Sequence, residues 1–161
     1  MTPKAKKSWR EKLADDKDLP KVVKIPPAGR KRWGGATLAI PAPRDVDALM
    51  RTVPRGRVTT INELRAAIAK KHRAAAGCPI TTGIFSWIAA NAAEEALAAG
   101  ETAPTPYWRT LKKGGELNPK YPGGIAALER KLAAEGHAFV RKGARVLVAN
   151  LEQVLYSPAA R

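Results

Sequence analysis

The sequence predicts a mainly α-helical fold with one small β-hairpin, a winged-helix-like α+β domain that follows an irregular basic N-terminal extension. Two helical stretches are joined by a short turn that contains Gly77 and Pro79, as in a helix-turn-helix. A pair of short β-type runs follows near the end of the chain. The chain has 161 residues, enough for one domain with an extension, and a formal charge of +15.

The predicted extension is residues 1–44, which hold twelve basic and four acidic side chains and six of the thirteen prolines. Proline disfavours long helices, so we expect none there. We interpret this segment as an extension that packs in places on the main domain, 45–156; a fully disordered basic arm is the alternative. Residues 157–161 are predicted to form a short tail.

Apolar spacing and end signals predict the helices of the main domain. The first helix begins at Arg44 or Asp45 and places Val46, Leu49 and Met50 on one face.

The second helix has a capping box at its start, formed by Thr60 and Glu63, and stops before the turn at 77–79. The residues at helical spacing on it are Leu64, Ala67, Ile68 and Lys71.

The rest of the domain is predicted from punctuating glycines and prolines and from apolar runs. In order, it comprises a helix from Thr81 or Thr82 towards Gly100, a loop over 101–124, a helix over 125–135, and a hairpin that joins 138–140 to 146–148.

Cysteine and histidine content excludes several classes of protein. A single cysteine, Cys78, cannot form an internal disulfide, which indicates the cytoplasm. Together with only His72 and His137 it cannot build a Cys/His zinc site, and we predict no metal and no cofactor. No apolar run is long enough to span a membrane or to serve as a signal peptide. The excess of basic residues instead indicates a polyanionic partner, most often nucleic acid.

Four blocks of residues occur in an order that resembles a known family. They are 53–60 (VPRGRVTT), Thr82-Gly83 with the apolar helix after it, 106–109 (PYWR), and 121–137 (from YPGGI to AAEGH). They resemble, in turn, the V-P-x-G-x-V-x-T entry, the recognition helix, the P-C-H-R site, and the Y-x-G-G-L loop with its terminal E-G-H. The family is that of the O⁶-alkylguanine-DNA alkyltransferases and their non-enzymatic alkyltransferase-like relatives. The resemblance covers roughly residues 45–152.

The resemblance implies a reaction that this sequence lacks the groups to perform. Family enzymes move the alkyl group to a cysteine, which a histidine activates through water while a glutamate orients that histidine. Here Tyr107 and Trp108 occupy the cysteine and histidine positions, and Glu135 alone remains. A phenol has a pKa of about 10 and indole is not a base, so we predict no catalytic residue and no enzyme.

The same positions could still form a pocket for a base extruded from the duplex. The predicted pocket residues are Tyr107, Trp108, Arg109, Tyr121, Gly123, Gly124 and Glu135. Stacking on aromatic rings returns about 1–3 kcal/mol per base, comparable to the cost of extrusion. We expect Arg109 to face a phosphate or a base edge, and the glycine backbone to approach a ligand closely. The alternative is that Tyr107 and Trp108 fill the pocket as ordinary core.

Contacts to the DNA backbone are predicted around the helix pair. The predicted DNA-binding residues are Arg55, Arg57, Thr59, Thr60, Ile80, Thr81 and Thr82. Arginines, hydroxyls and helix N-termini commonly bind phosphate. By resemblance, Ile80 stands where the family has an arginine that enters the base stack; an apolar wedge can also part base steps, and a core position is the alternative.

These observations predict a non-catalytic, monomeric alkyltransferase-like protein of the cytoplasm and its nucleoid. It would bind duplex DNA, with no membrane partner, and recognise alkylated or modified bases for a downstream repair protein. Two alternatives stay open. One is an alkyltransferase that uses Cys78, which lies at a helix start where a thiolate is favoured. The other is a basic structural DNA- or RNA-binding protein whose pocket is filled.

Overall fold

The structure, a computed structural model, describes residues 5–160; the first four residues of the predicted extension and Arg161 of the predicted tail lie outside the described residues. The helices are α1 (Trp9–Ala14), α2 (Arg30–Trp33), α3 (Pro43–Arg51), α4 (Ile61–Lys71), α5 (Pro79–Ala98), α6 (Gly124–Ala134) and α7 (Leu151–Val154), with short 3₁₀ turns at Pro27–Gly29, Tyr107–Arg109, Lys113–Gly115 and Pro158–Ala160. The strands are β1 (Lys21–Lys24), β2 (Thr37–Ile40), β3 (Thr59–Thr60), β4 (Ala76–Gly77), β5 (Thr110–Leu111), β6 (Phe139–Lys142) and β7 (Arg145–Val148).

The fold is a mixture of helices and small sheets. Antiparallel β6 and β7 form the predicted hairpin, with Phe139 opposite Val148 and Lys142 opposite Arg145. Within residues 5–160 two further small sheets form, β1-β2-β4 and parallel β3-β5, so the prediction of one hairpin understated the β-structure. Short strands with few apolar residues give little periodic signal, which is why they were not predicted.

The predicted helices form, with small shifts at their ends. Pro43 and Pro79 begin α3 and α5 one to three residues before the predicted starts. Proline suits the first helical position because its missing N–H would have no intrahelical partner there. At α4 the hydroxyl of Thr60 accepts from the backbone N–H of Glu63 over 3.4 Å, which is one of the two hydrogen bonds of the predicted capping box.

Helix α5 is the element that the others share. Its buried side is lined by small residues: Ala89, Ala90, Ala92, Ala93 and Ala96. Small side chains let α1, α3 and α4 pack closely against it. Leu64 and Ile68 of α4, Met50 of α3 and Leu128 and Leu132 of α6 complete a core in which each of these side chains is at most 2% exposed.

The expectation of an irregular extension is wrong for the part of it that the structure describes. The carboxylate of Glu95 in α5 accepts from the backbone N–H groups of Trp9 (3.1 Å) and Arg10 (3.2 Å), so it binds the start of α1. The rings of Trp9 and Trp87 meet edge to face, with centroids 4.7 Å apart. Strand β2 pairs with β4, the short strand that follows α4 and precedes α5 in the chain. The composition of the segment favoured irregular structure because composition carries no information about partners far away in the sequence, such as those in α5 and β4.

The C-terminal residues also pack on the domain. Strand-like pairing joins Val58 to Leu155. The Lys70 ammonium donates to the carbonyl of Ala159 over 2.7 Å, which attaches the described part of the predicted tail to α4.

We predict that Gly35→Ala destabilises the fold more than Gly100→Ala. Both glycines have positive φ, +151° and +92°, which costs an alanine about 1–2 kcal/mol. A Cβ on Gly35 would also lie 2.4 Å from the Cβ of Ala75, whereas one on Gly100 meets no atom within 4 Å. Overpacking of this kind adds about 1–3 kcal/mol. Urea unfolding of the two variants measures the difference, and equal losses would contradict the close packing of Gly35 against Ala75.

Candidate nucleic-acid interface

Residues 106–109 form a tight turn below α5. The backbone N–H of Tyr107 donates to the carbonyl of Thr105 over 2.8 Å. The buried hydroxyl of Thr105 donates to Asp47 of α3 over 2.5 Å, and Asp47 also accepts from Arg51. These bonds fix the turn against α3 and point Tyr107 into the core.

Tyr107 is buried, with 1% of its surface exposed. Its hydroxyl donates to Oε1 of Glu94 in α5 over 2.5 Å. Burial, together with the hydrogen bond to Glu94, raises the pKa of Tyr107. The phenol therefore stays protonated and is an even poorer nucleophile than a free tyrosine.

Tyr121 is buried beside it, at 3% exposure, with the two ring centroids 5.9 Å apart. Its hydroxyl donates to Oγ of Ser86 in α5 over 3.1 Å, and burial raises the pKa of Tyr121 to about 12. Neither ring presents an open face to a base. In this structure the predicted pocket is filled at Tyr107 and Tyr121. The alternative that the sequence left open named Tyr107 and Trp108, and Trp108 is only half-buried.

Glu135, just after α6, forms a buried ion pair with Arg109. The Nε and Nη2 atoms of Arg109 each donate to one carboxylate oxygen over 2.8 Å, and Trp108 Nε1 donates to the same carboxylate over 3.1 Å. Arg109 also donates to the carbonyl of Val53 over 2.9 Å. The Glu135 side chain is 4% exposed. Arg109 is thus engaged inside the protein, which contradicts the prediction that it faces a phosphate or base edge.

The electrostatics of this pair follow from its hydrogen bonds. Burial alone would raise the pKa of Glu135, but the hydrogen bonds from Arg109 and Trp108 lower it below its ordinary value. The carboxylate therefore remains charged and acts as a structural anchor for Arg109 and Trp108. Nearby, burial lowers the pKa of His137.

Gly123 and Gly124 serve the start of α6. Their φ values are +80° and +68°, and a Cβ on Gly123 would lie 2.5 Å from the Cβ of Ala127. The N–H of Gly124 donates to the carbonyl of Tyr121 over 3.0 Å. These glycines are explained by the turn into the helix, and the predicted close approach of a ligand is not required to account for them.

The four predicted phosphate-binding threonines do not offer their hydroxyls to solvent. Thr59 and Thr82 have no exposed surface, and Thr60 is 5% exposed with its hydroxyl used as the cap of α4. The hydroxyl of Thr81 is buried as well. In this arrangement the hydroxyls are therefore not available to a phosphate, and contact of these residues with DNA stays a prediction.

Arg55 and Arg57 are exposed, which leaves their predicted contact with DNA open, although each also contacts the protein. Arg55 donates to the carbonyl of Ala134 over 2.9 Å, and Arg57 donates to that of Gln153 over 3.0 Å.

Cys78, the residue that precedes α5, is buried, with 6% of its surface exposed. A buried thiol is inaccessible to an alkylated base, which counts against the alternative of a displaced nucleophile.

The outer side of α5 carries an exposed apolar row that we call the α5 ridge: Ile80, Ile84 and Trp87, with 60%, 47% and 37% of their surface exposed. The ridge borders a cleft of about 410 Å³, whose other side is formed by Asn118 and Lys120. Ile80 is therefore not a core residue. Ile84 and Trp87 were not predicted as site residues, although their spacing from Ile80 places all three on one face of the helix and is a signal visible in the sequence. Asn118 and Lys120 lie in a distant loop, for which the sequence carries no such signal.

Within residues 5–160, the structure contains no helix that is both long and apolar enough to cross a membrane. The same residues contain no cluster of three or more His, Cys, Asp or Glu side chains suited to a metal ion.

Comparisons with known proteins return one similar solved structure. No family model matches the chain, and no curated protein matches it. The chain is similar to the crystal structure of the alkyltransferase-like protein Atl1 of S. pombe in complex with damaged DNA that contains O⁶-carboxymethylguanine. The two are 18% identical over 72% of this chain and 94% of that chain, with a TM-score of 0.48.

We predict that Glu135→Gln lowers the free energy of unfolding by about 3–5 kcal/mol at neutral pH, because it leaves the buried Arg109 without its counter-charge. The folded-state pKa of Glu135 lies below its unfolded value, so its stabilisation is present above the unfolded pKa and is lost as the pH falls through the folded pKa. Urea unfolding at a series of pH values should therefore show wild type and variant converging in acid.

Arg55→Gln provides the control. Its guanidinium lies 3.9 Å from the same carboxylate and its side chain is 70% exposed, so we expect a loss of less than about 1 kcal/mol. A Glu135→Gln variant as stable as wild type at neutral pH would show that the ion pair is not a structural anchor.

Proposed function

We propose that this protein binds duplex DNA without chemically altering it, and that the α5 ridge and Lys120, which lines the same cleft, make the contact. The observation that carries the proposal is the ridge itself, a row of apolar side chains left exposed at the N-terminal half of a helix in a chain of charge +15. Exposed apolar side chains next to cations suit DNA, where the cations meet phosphates and an apolar wedge can enter between base steps.

The absence of catalysis is part of the proposal, and the chemistry of the site supports it. Tyr107, at the position of the nucleophile, is a buried phenol whose pKa is raised by burial and by Glu94. Trp108 offers no basic atom, and Glu135 is held in its ion pair with Arg109. Cys78, the other candidate nucleophile, is buried. We further propose that the protein acts as a monomer in the cytoplasm, at the nucleoid; the single cysteine, which cannot form an internal disulfide, supports that compartment.

Recognition of modified bases is a second candidate function. The motif blocks that resemble the alkyltransferases favour it, and Tyr107, Trp108 and Tyr121 do cluster, with ring centroids 5.4 and 5.9 Å from Tyr107. Base capture would require Tyr107 and Tyr121 to leave their hydrogen bonds to Glu94 and Ser86. The protein would then mark the modified base for a repair protein. The filled pocket favours binding without base capture.

We predict strongly salt-dependent binding to duplex DNA. With about six phosphates neutralised, log K should fall against log salt concentration with a slope of about −5. Fluorescence anisotropy with a labelled duplex, between about 50 and 200 mM salt, measures that slope. A slope near zero would rule out the proposed function.

The α5 ridge can be tested in the same titration. Ile80→Ser with Ile84→Ser should weaken binding without changing the slope, because apolar contacts release no counterions. Leu97→Ser is the control, an aliphatic side chain near the C-terminal end of the same helix that is 37% exposed. Equal affinities of the ridge variant and wild type would exclude the ridge from the interface.

We also predict no covalent transfer. After incubation with a duplex that contains an O⁶-alkylguanine, the mass of the protein should be unchanged, and its affinity for that duplex should equal its affinity for the plain one. A protein adduct that is lost in Cys78→Ala or Tyr107→Phe would establish an alkyltransferase. A lesion preference that is lost in Tyr107→Ala would favour the second candidate function.

A further inference from the structure

The N-terminal segment 21–40, which we call the basic arm, is attached to the link between α4 and α5. Leu38 and Ala39 of β2 pair with Ala76 and Gly77 of β4. The carbonyl of Ala39 accepts from the backbone N–H of Cys78 over 2.9 Å, one residue before α5 begins. The arm therefore adds two strands directly beside the N-terminal end of α5.

Close packing fixes the tip of the arm in this place. A Cβ on Gly35 would lie 2.4 Å from the Cβ of Ala75, so the backbone just after α2 rests on the α4–α5 link. The hydroxyl of Thr37 accepts from the N–H of Ala75 over 2.9 Å, and Ile25 is buried at 5% exposure. The arm is held by specific contacts and does not need DNA to order it.

The arm carries positive charge that the protein does not neutralise. Segment 21–40 holds five basic side chains and no acidic one. The five, all exposed, are Lys21, Lys24, Arg30, Lys31 and Arg32. Among the residues that the structure describes, Lys21 pairs with Asp18, while Lys24, Lys31 and Arg32 form no ion pair with a carboxylate. Elsewhere on the surface several cations do pair with carboxylates, as with Lys71 and Asp45 or Arg44 and Asp16.

Uncompensated cations on an ordered element suit a partner that supplies closely spaced anions. A DNA duplex presents one phosphate charge per about 1.7 Å of its axis. An element next to the helix that enters a groove is placed to meet the phosphates that flank that groove, as the loop between the first two helices does in homeodomains.

We infer that the basic arm is a second DNA-contacting element, which binds the phosphate backbone beside the site occupied by α5 through Lys24, Lys31 and Arg32. This inference rests on the proposed function and extends it, because it assigns the N-terminal extension a part of the interface. The arm contributes affinity and salt dependence and carries no base specificity, since it offers only cations.

The test compares two double variants of equal charge in anisotropy titrations with the same labelled duplex. K24Q/K31Q removes two arm cations that have no protein partner, and should flatten the slope of log K against log salt by about 1.8, or 0.9 for each phosphate that is no longer neutralised. R10Q/R130Q is the control. Arg10 pairs with Glu101 at the far end of α5, which spans 20 residues and so about 30 Å, and Arg130 lies on α6. We expect its slope to equal that of wild type.

Each outcome decides between the two proposals. A steep wild-type slope that K24Q/K31Q leaves unchanged overturns the inference and leaves the proposed function standing. A wild-type slope near zero overturns both. If the slope of log K against log salt falls equally in the two double variants, the cause is the net charge of the protein in general, and the inference is also overturned. Thermal unfolding of both variants, expected to match wild type because the substituted side chains are exposed, shows that folding is not the cause.

Discussion

The hydrogen bond from the Tyr107 hydroxyl to Glu94 is the interaction on which the arrangement of this protein depends. It ties the turn at 106–109 to α5, and the bond from Tyr121 to Ser86 repeats the connection eight residues nearer the N-terminal end of that helix. In each place the phenol donates to a polar partner on α5, the half-buried Glu94 or the buried Ser86, and fills the space around it. Residues 106–109, which resemble a reactive centre in the sequence, are therefore part of the packed core. The outer face of α5 is the surface that remains available to a partner.

Helix α5 consequently makes three different kinds of contact. Its alanine-rich side is buried against α1, α3 and α4; Ser86 and Glu94 accept hydrogen bonds from the two tyrosines; and Ile80, Ile84 and Trp87 in its N-terminal half remain exposed. The N-terminal extension uses both ends of the helix. Glu95 binds the start of α1 near one end, while β2 joins the backbone that leads into the other. This double attachment gives the basic arm a fixed position beside the α5 ridge.

The agreement between sequence and structure depends on whether a signal is local. Helices α3 to α6 and the hairpin were predicted because apolar periodicity, prolines and capping residues are local features. Strands β2 and β4 were not, because their pairing joins residues about forty positions apart and β4 is very short. Arg109 was expected to face DNA and instead binds Glu135, since a sequence lists charges without showing which of them meet inside the fold.

The sequence alone determined the charge of the chain, its helical framework, and the loss of the cysteine and histidine that the resembling enzymes use. Those properties reside in residue identity and short-range spacing. Only the tertiary structure decided that Tyr107 and Tyr121 fill the pocket, that the hydroxyls of Thr59 and Thr82 are buried, and that Ile80 is exposed. Burial results from contacts between distant segments, so the same threonine or isoleucine can be core or surface until the chain has folded around it.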